Sequence, residues 1–490
     1  MTNNPVDERS FADFVFRDKK NRIFLGLAVL LSIALLFIFK HFWYPWANFW
    51  DSSNSLIEAA STNASVGLWP IGYSKYLWVI HSLTHSDTVV VAIQYFFLTG
   101  VLLYFFFTLH YFYRFEKNSF IVLFLFLFFD PLFLFLSNYI TSDALFVGFS
   151  LWWFTDLVWI FRCPRSYRLV LNAILIFISF TLSYNAVYYP IVSLVILIFT
   201  RKSVAWRLTG IAISVPLLIL FVVFTRNENL KITGVKQFSA YSGWRQANNA
   251  LYMYPHIRVD TSHLPSVYVS LDSTVRDYFR ECKKEYLTVS PGDGEFYVFQ
   301  SRTPLHRYLY PGERWGEPII HFPDWSKVSS LYGAYGEYLS SEYAGGYFTY
   351  YLLPNAGDYF RPGFNKLLEY NMFHMDFDPT VKAWFDYKQK LTPRLPRFPR
   401  TLLSPFPLFF PLINIAFLVG VIWFFLSVRQ AENNDLSAGL MLVSILLFIN
   451  WVFSIWTAPV VLESQIFPMI VCFGFVLLLY DFFEKKYKKA

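Results

Sequence analysis

The chain is 490 residues long, 55% hydrophobic, 21% aromatic and only 15% charged, with a mean hydropathy of +0.38. A water-soluble fold cannot bury that much apolar surface, so lipid is the expected solvent and a soluble globular enzyme is excluded. The formal net charge is +7, but the basic residues cluster beside the hydrophobic runs, a placement that orients membrane helices and does not suggest a nucleic-acid partner.

In chain order, a polar segment ending in Lys19, Lys20 and Arg22 precedes the first apolar run, 23–39. That run lacks a small-residue cleavage site and reads as a retained anchor. Residues 40–87 form a polar, aromatic loop with helix-like pieces around 54–62 and 73–83. Further apolar runs lie at 89–110, 120–136 (interrupted by Pro131), 144–161, 169–182, 186–200 and 208–225. Hydrophobicity then stops. Residues 226–402 are polar and rich in Tyr, Gly and Pro, before three more runs at 408–428, 436–456 and 466–483 and a basic tail. The expected fold is an all-α polytopic membrane protein of about ten transmembrane helices. Its expected divisions are a membrane core over 1–225, an extracytoplasmic domain of mixed or irregular structure over 226–402, and C-terminal helices over 403–490.

The charges orient this layout. With a cytoplasmic N-terminus, Lys19, Lys20, Arg22, Arg114, Lys117, Arg162, Arg165, Arg168, Arg201, Lys202, Arg207, Arg429 and the lysine tail all fall inside. The turns at 137–143, 183–187 and 457–465 carry neither Lys nor Arg. The expectation is a multi-pass protein of the inner membrane with both termini cytoplasmic. Cys163, Cys282 and Cys472 are far apart and form no metal, redox or disulfide pattern.

Several chemistry-bearing residues gather on the outer face in this topology. Asp143 opens the run after the polar stretch Asn138-Tyr139-Ile140-Thr141-Ser142; an acid at the mouth of a membrane helix is a functional candidate, or a helix cap. Asp51 is the acid nearest the end of the first run, and reads as a general base for a hydroxyl or as an N-cap. Lys75 follows a Pro70-Ile71-Gly72-Tyr73 turn and suits a lipid phosphate, or simply snorkels to the interface. Trp244, Gln246, Asn248 and Asn249 are groups that stack on and bond to sugars, with Arg245 suited to phosphate; an ordinary helix start reads the same way. Glu463 and Gln465 occupy the last outer turn. Asp376-Phe377-Asp378 is too common a pattern to carry a metal site, and His81, His85, His263 and His306 have no ligand spacing.

Together these features resemble the GT-C superfamily of integral-membrane glycosyltransferases, which includes protein O-mannosyltransferases and the lipid A aminoarabinose transferases. The resemblance rests on Asp51 just beyond the first run, the Pro70–Tyr73 segment, Pro131, the Ser142-Asp143 pair and a large polar part after a seven-helix core. It implies a donor sugar on a polyprenyl phosphate, moved to a glycan, lipid or protein acceptor. Asp51 and Asp143 would be catalytic, and Lys75 and Arg245 would hold the donor phosphate. Glu58, Tyr73, Trp244, Asn248 and Glu463 would line the sugar and acceptor pocket. The first loop lacks an Asp-x-Asp or Glu-x-Asp, so a metal-independent displacement without cofactor is expected. Two rivals stand beside it. A transporter or flippase of a lipid-linked glycan would need ionisable groups deep in several spans, where only Asp130 and Asp156 are seen. A non-catalytic scaffold would use 226–402 for interactions.

Overall fold

The computed structural model describes residues 9–281, 289–312, 320–363, 370, 376–388, 402–403, 405–427 and 434–488, without the side chains of Asp51 and Asn434. The apolar runs become helices because a backbone in hydrocarbon must satisfy its own polar groups. The first part comprises α1 (Phe11–Phe16), α2 (Lys19–Ile38), α3 (Asp51–Ser61), α4 (Gly72–His81), α5 (Asp87–Tyr113), α6 (Lys117–Phe129), α7 (Pro131–Asn138), α8 (Asp143–Arg162), α9 (Ser166–Leu182), α10 (Tyr189–Phe199) and α11 (Val204–Thr233). The middle holds α12 (Tyr241–Leu251), α13 (Val269–Glu281), α14 (Phe296–Phe299), α15 (Pro304–Leu309), α16 (Phe322–Glu342), α17 (Ala344–Tyr347), α18 (Leu353–Phe360) and α19 (Pro379–Phe385). The chain closes with α20 (Phe406–Ser427), α21 (Asn434–Thr457) and α22 (Leu462–Lys488).

Among the described residues eight helices are long and apolar enough to cross a membrane, with α6 and α7 forming one interrupted span. The expectation of about ten included the runs at 169–182 and 186–200. These form α9, 17 residues, and a 3₁₀ turn leading into α10, 11 residues. Both are shorter than the ~20 residues typical of a span, α9 lying at the lower end of the workable range. Trp206 at the start of α11 donates to Ser166 at the start of α9, so these two helices begin at the same end of the bundle. The interruption at Pro131 is a clean restart: Asp130 caps α7 by accepting from the Leu132 amide at 2.8 Å.

Position in the bundle follows from residue pattern. In α8 and α22, 78% of the apolar window is buried, against 28%, 17% and 22% in α2, α11 and α20. The latter three turn Leu, Ile, Val and Phe stripes outward, for example Ile23, Leu27, Leu30 and Phe37 on α2, which is stable only against lipid. Polar contacts tie the centre together. Trp153 stacks on Tyr189 at 3.9 Å and donates to Ser193, while the Tyr189 hydroxyl bonds Ser150. At the end of the bundle away from Asp143, Arg162 pairs with Asp435, Arg168 with Asp156 and Lys485 with Glu116.

The described residues of 226–402 form helices joined by irregular loops and contain no strand, so a mixed structure is not seen among them. They also divide between two cores. Residues 240–352 build a separate aromatic core around Trp244, Trp325, Tyr332, Tyr335 and Tyr351. Phe377, Val381, Trp384 and Phe385 instead join the membrane-side core and pack α19 on α3. The second core is centred on the α12–α16 crossing, where glycines let two backbones touch. A Cβ at Gly243 would lie 1.8 Å from the Ser329 carbonyl oxygen, and one at Gly336 2.5 Å from that of Gln246. Gly243→Ala is therefore expected to cost about 1–3 kcal/mol, whereas Gly100→Ala, where a methyl meets nothing within 4 Å, is neutral. Thermal unfolding of both variants in detergent checks this.

Candidate functional site

The site begins with the turn between α7 and α8. The end of α7 leaves carbonyls without intrahelical partners, and other elements supply them. The Asn48 amide donates to Asn138 O at 2.8 Å, and the Ile140 amide donates to Asn48 O at 3.0 Å, forming a parallel bridge between Asn48 and Tyr139. Gln94 Nε2 donates to Ser137 O and Tyr139 O at 2.8 and 3.2 Å, and its Oε1 accepts from the Tyr73 hydroxyl at 2.6 Å. Lys40 donates to Asn138 Oδ1 at 3.2 Å and lies 3.7 Å from Asp87, which in turn accepts from the Ala47 amide. The first loop and the 137–143 turn are thus one stitched unit.

This unit sets the two acids expected to be catalytic. Asp143 lies in the first turn of α8 and accepts from Thr141 Oγ1 at 2.8 Å. Asp51 opens α3, three residues after Asn48; its side chain falls outside the described part. Its neighbours Trp50 and Ser52 line a cavity that Asp143 also lines.

The cavity has a volume of about 1050 Å³ and lies where the membrane helices meet the second core. It gathers residues from the first loop, the α7–α8 turn, the Ser183–Asn185 turn, α12, residues 292–300, α16–α17 and the α21–α22 turn. Its charged described lining is Asp143, Asp293, Glu295 and Glu463 with a single cation, Arg245. Asp143 and Glu463 each sit in the first turn of a central helix, α8 or α22, where the helix dipole favours a carboxylate. Arg245 Nε donates to Glu295 Oε1 at 2.6 Å, its guanidinium lies 4.9 Å from the Tyr241 ring, and the Tyr241 hydroxyl donates to the other Glu295 oxygen. Burial works against the charge, but Glu295 and Tyr241 hold the Arg245 guanidinium above its ordinary pKa. Trp69 packs 4.6 Å from Tyr241 and adds an aromatic wall.

The rim has two characters. Ser242, Gln246, Asp293, Gln300 and Ser341 are exposed, polar lining residues. Phe348 and Trp456 also line the cavity and are 57% and 62% exposed. The lining therefore combines exposed polar residues with two exposed aromatic ones.

Of the residues expected at the site, Asp143, Arg245, Glu463, Gln246 and Asn249 line this cavity, and the side chain of Asp51 lies outside the described part. Lys75, Glu58, Tyr73, Trp244 and Asn248 lie elsewhere for identifiable reasons. Lys75 donates to Asn63 O and Oδ1 at 3.0 and 2.6 Å, outside the lining. Glu58 is exposed on α3. Tyr73 is fully buried and supports the turn through Gln94. Trp244 is buried in the second core, stacked 3.9 Å from Trp325 and donating to its carbonyl. Asn248 Oδ1 accepts from the Tyr297 amide at 3.0 Å. On α12, Tyr241, Arg245 and Asn249 share one face at four-residue spacing, and Trp244 and Asn248 share the other. That period, applied outward from Arg245, would have found Tyr241 and separated Asn249 from Asn248. No local pattern marks Glu295, which arrives from 50 residues further along.

The remaining polar motifs have structural roles. Asp378 caps α19 through the Thr380 amide, and His81 stacks on Trp384 at 3.6 Å. Among the described residues no group of three or more His, Cys, Asp or Glu side chains comes together as a metal site. Cys163 and Cys472 are free thiols, and Cys282 lies outside the described residues. Comparisons with protein-family profiles, curated proteins and solved structures return no match.

Tyr73→Phe would leave the buried Gln94 oxygen without its donor, and is expected to lower stability by about 1–2 kcal/mol. Lys75→Ala, which removes only exposed bonds, is expected to stay within about 0.5 kcal/mol of the parent. Thermal unfolding in detergent reads both.

Proposed function

We propose that this chain is a membrane glycosyltransferase of GT-C type that moves a sugar from a polyprenyl-phosphate donor to an acceptor hydroxyl at the outer membrane face. The observation that carries the reading is the mixed lining of the cavity: exposed aromatic residues beside exposed polar and acidic ones suit a substrate with a lipid tail and a water-soluble head. Carboxylates and aromatic rings together are the lining a sugar asks for, since hydroxyls donate to carboxylates and ring faces pack on aromatics. The gathering of Arg162, Arg168 and Lys485 at the opposite end of the bundle supports an outward-facing cavity.

In this reading Asp51 takes the proton of the acceptor hydroxyl. The freed oxygen attacks the anomeric carbon, and the bond from that carbon to the phosphate oxygen breaks with its electron pair leaving on the phosphate. Arg245, held along one edge by Glu295, faces the departing phosphate with the rest of its guanidinium. Asp143 and Glu463 bind sugar hydroxyls. The excess of carboxylates over Arg245 favours a polyol head group over a second anion. The transporter reading finds less support. Two charged pairs inside the bundle, Lys40 with Asp87 and Arg168 with Asp156, are engaged with each other and do not line the cavity.

The test is the surface-glycan profile of cells lacking the protein, complemented with wild type, Asp51→Asn or Asp143→Asn. Loss of one sugar that wild type restores, and that each variant restores at least ~100-fold less well, is expected for a lost acid–base or positioning group. Full restoration by both variants overturns the reading.

A further inference from the structure

Within the polar part of the chain, residues 344–357 carry no charged side chain. They form a continuous helical run: α17, a π-helical segment Phe348–Leu352, and α18. One edge packs on the second core through Tyr347, Tyr351 and Leu352. The opposite edge is open at Phe348 and Leu353, each 57% exposed, while Tyr350 stacks on His256 at 4.2 Å. In water such an edge is unfavourable by the free energy of hydrating its apolar area.

The attachments of this run show where the edge sits. The Asn355 amide is fully buried. It donates to Ile455 O at 2.9 Å and Ala458 O at 2.8 Å, and accepts from the Val460 amide at 2.7 Å, so it closes the carbonyl end of α21. The Tyr359 hydroxyl reaches further, to Asn450 Oδ1 at 2.7 Å, and Asn450 in turn donates to the Tyr188 hydroxyl. Asn450 lies seven residues inside the end of α21 at Thr457, about 10 Å along its axis at 1.5 Å per residue. The chain then returns to the level of Val461 through the bridge at Gly363. α21 is itself one of the eight apolar helices of crossing length, and its open stripe is Phe448, Val452 and Trp456.

From these placements we propose that residues 344–360 form a re-entrant helix seated in the lipid interface, with Phe348 and Leu353 in contact with the bilayer. The occupant of this edge is lipid rather than a second protein, because the edge is uncharged, continues the open stripe of α21 and belongs to a segment whose Tyr359 bonds inside the span. The same run supplies Ala344, Tyr347, Phe348 and Leu352 to the cavity lining, so this part of the lining lies at membrane level. Bilayer contact by this edge does not depend on the proposed chemistry and stands or falls separately.

The experiment uses the full-length chain reconstituted in phosphatidylcholine/phosphatidylglycerol vesicles, with Cys163, Cys282 and Cys472 replaced. Spin labels are placed singly at Phe348→Cys, Leu353→Cys, Phe448→Cys on α21 and Glu337→Cys on the exposed face of α16. Collision with oxygen and with a water-soluble nickel chelate is measured at each. The expected result is an oxygen-dominated response at 348 and 353 that matches 448, and a nickel-dominated response at 337. A nickel-dominated response at 348 and 353 overturns the proposal in favour of water. Low access to both reagents overturns it in favour of a protein contact, including a second copy of this chain. Photolabelling of the unaltered protein with a lipid-soluble diazirine gives the same decision without substitutions, by whether the peptide holding Phe348 and Leu353 is labelled.

Discussion

Two main-chain hydrogen bonds, from the Asn48 amide to Asn138 O and from the Ile140 amide to Asn48 O, organise the cavity end of this protein. Each is worth about 1 kcal/mol alone, but they act within a buried network that includes Gln94, Tyr73, Lys40 and Asp87. The reason for the network is the broken third span. Asp130-Pro131 restarts the helix, α7 ends after only two turns, and its last carbonyls must find donors inside the protein. The first loop provides them. In doing so it brings the start of α3, with Asp51, alongside the start of α8, with Asp143.

The second constraint is electrostatic. Carboxylates are placed at the first turns of α8 and α22, the two most buried spans, where backbone amides and the helix dipole favour negative charge. The one described cation in the lining, Arg245, is matched by Glu295 and covered by Tyr241, so its charge is kept in a place that would otherwise penalise it. The result is a water-accessible, acid-rich chamber joined to an aromatic rim of Phe348 and Trp456. Neither the membrane bundle nor the second core could build it alone, because its lining alternates between them.

Hydropathy made the membrane helices legible, because long uninterrupted Leu, Phe, Ile and Val runs have no other stable solvent. At 169–200 its runs form two shorter apolar helices, which length alone does not mark as spans. Among site residues, Asp143 and Glu463 were legible as acids at the mouths of hydrophobic runs, and both line the cavity. Trp244, Asn248 and Tyr73 have the right chemistry but point into cores, since residue type alone does not say which helix face is buried. Gly243 explains the choice on α12: close contact with Ser329 requires a glycine there and turns Trp244 toward Trp325. Glu295 and Phe348 were not legible, because only long-range packing brings them to Arg245 and to the rim.

Whether the cavity holds a lipid-linked sugar is tested most directly by native mass spectrometry of the protein extracted gently from its own membrane. A co-purifying polyprenyl-phosphate species is expected on the wild type and strongly depleted in Arg245→Gln, with the folded mass and charge-state distribution unchanged. Absence of any such lipid from the wild type, or equal retention by Arg245→Gln, would contradict the proposed function.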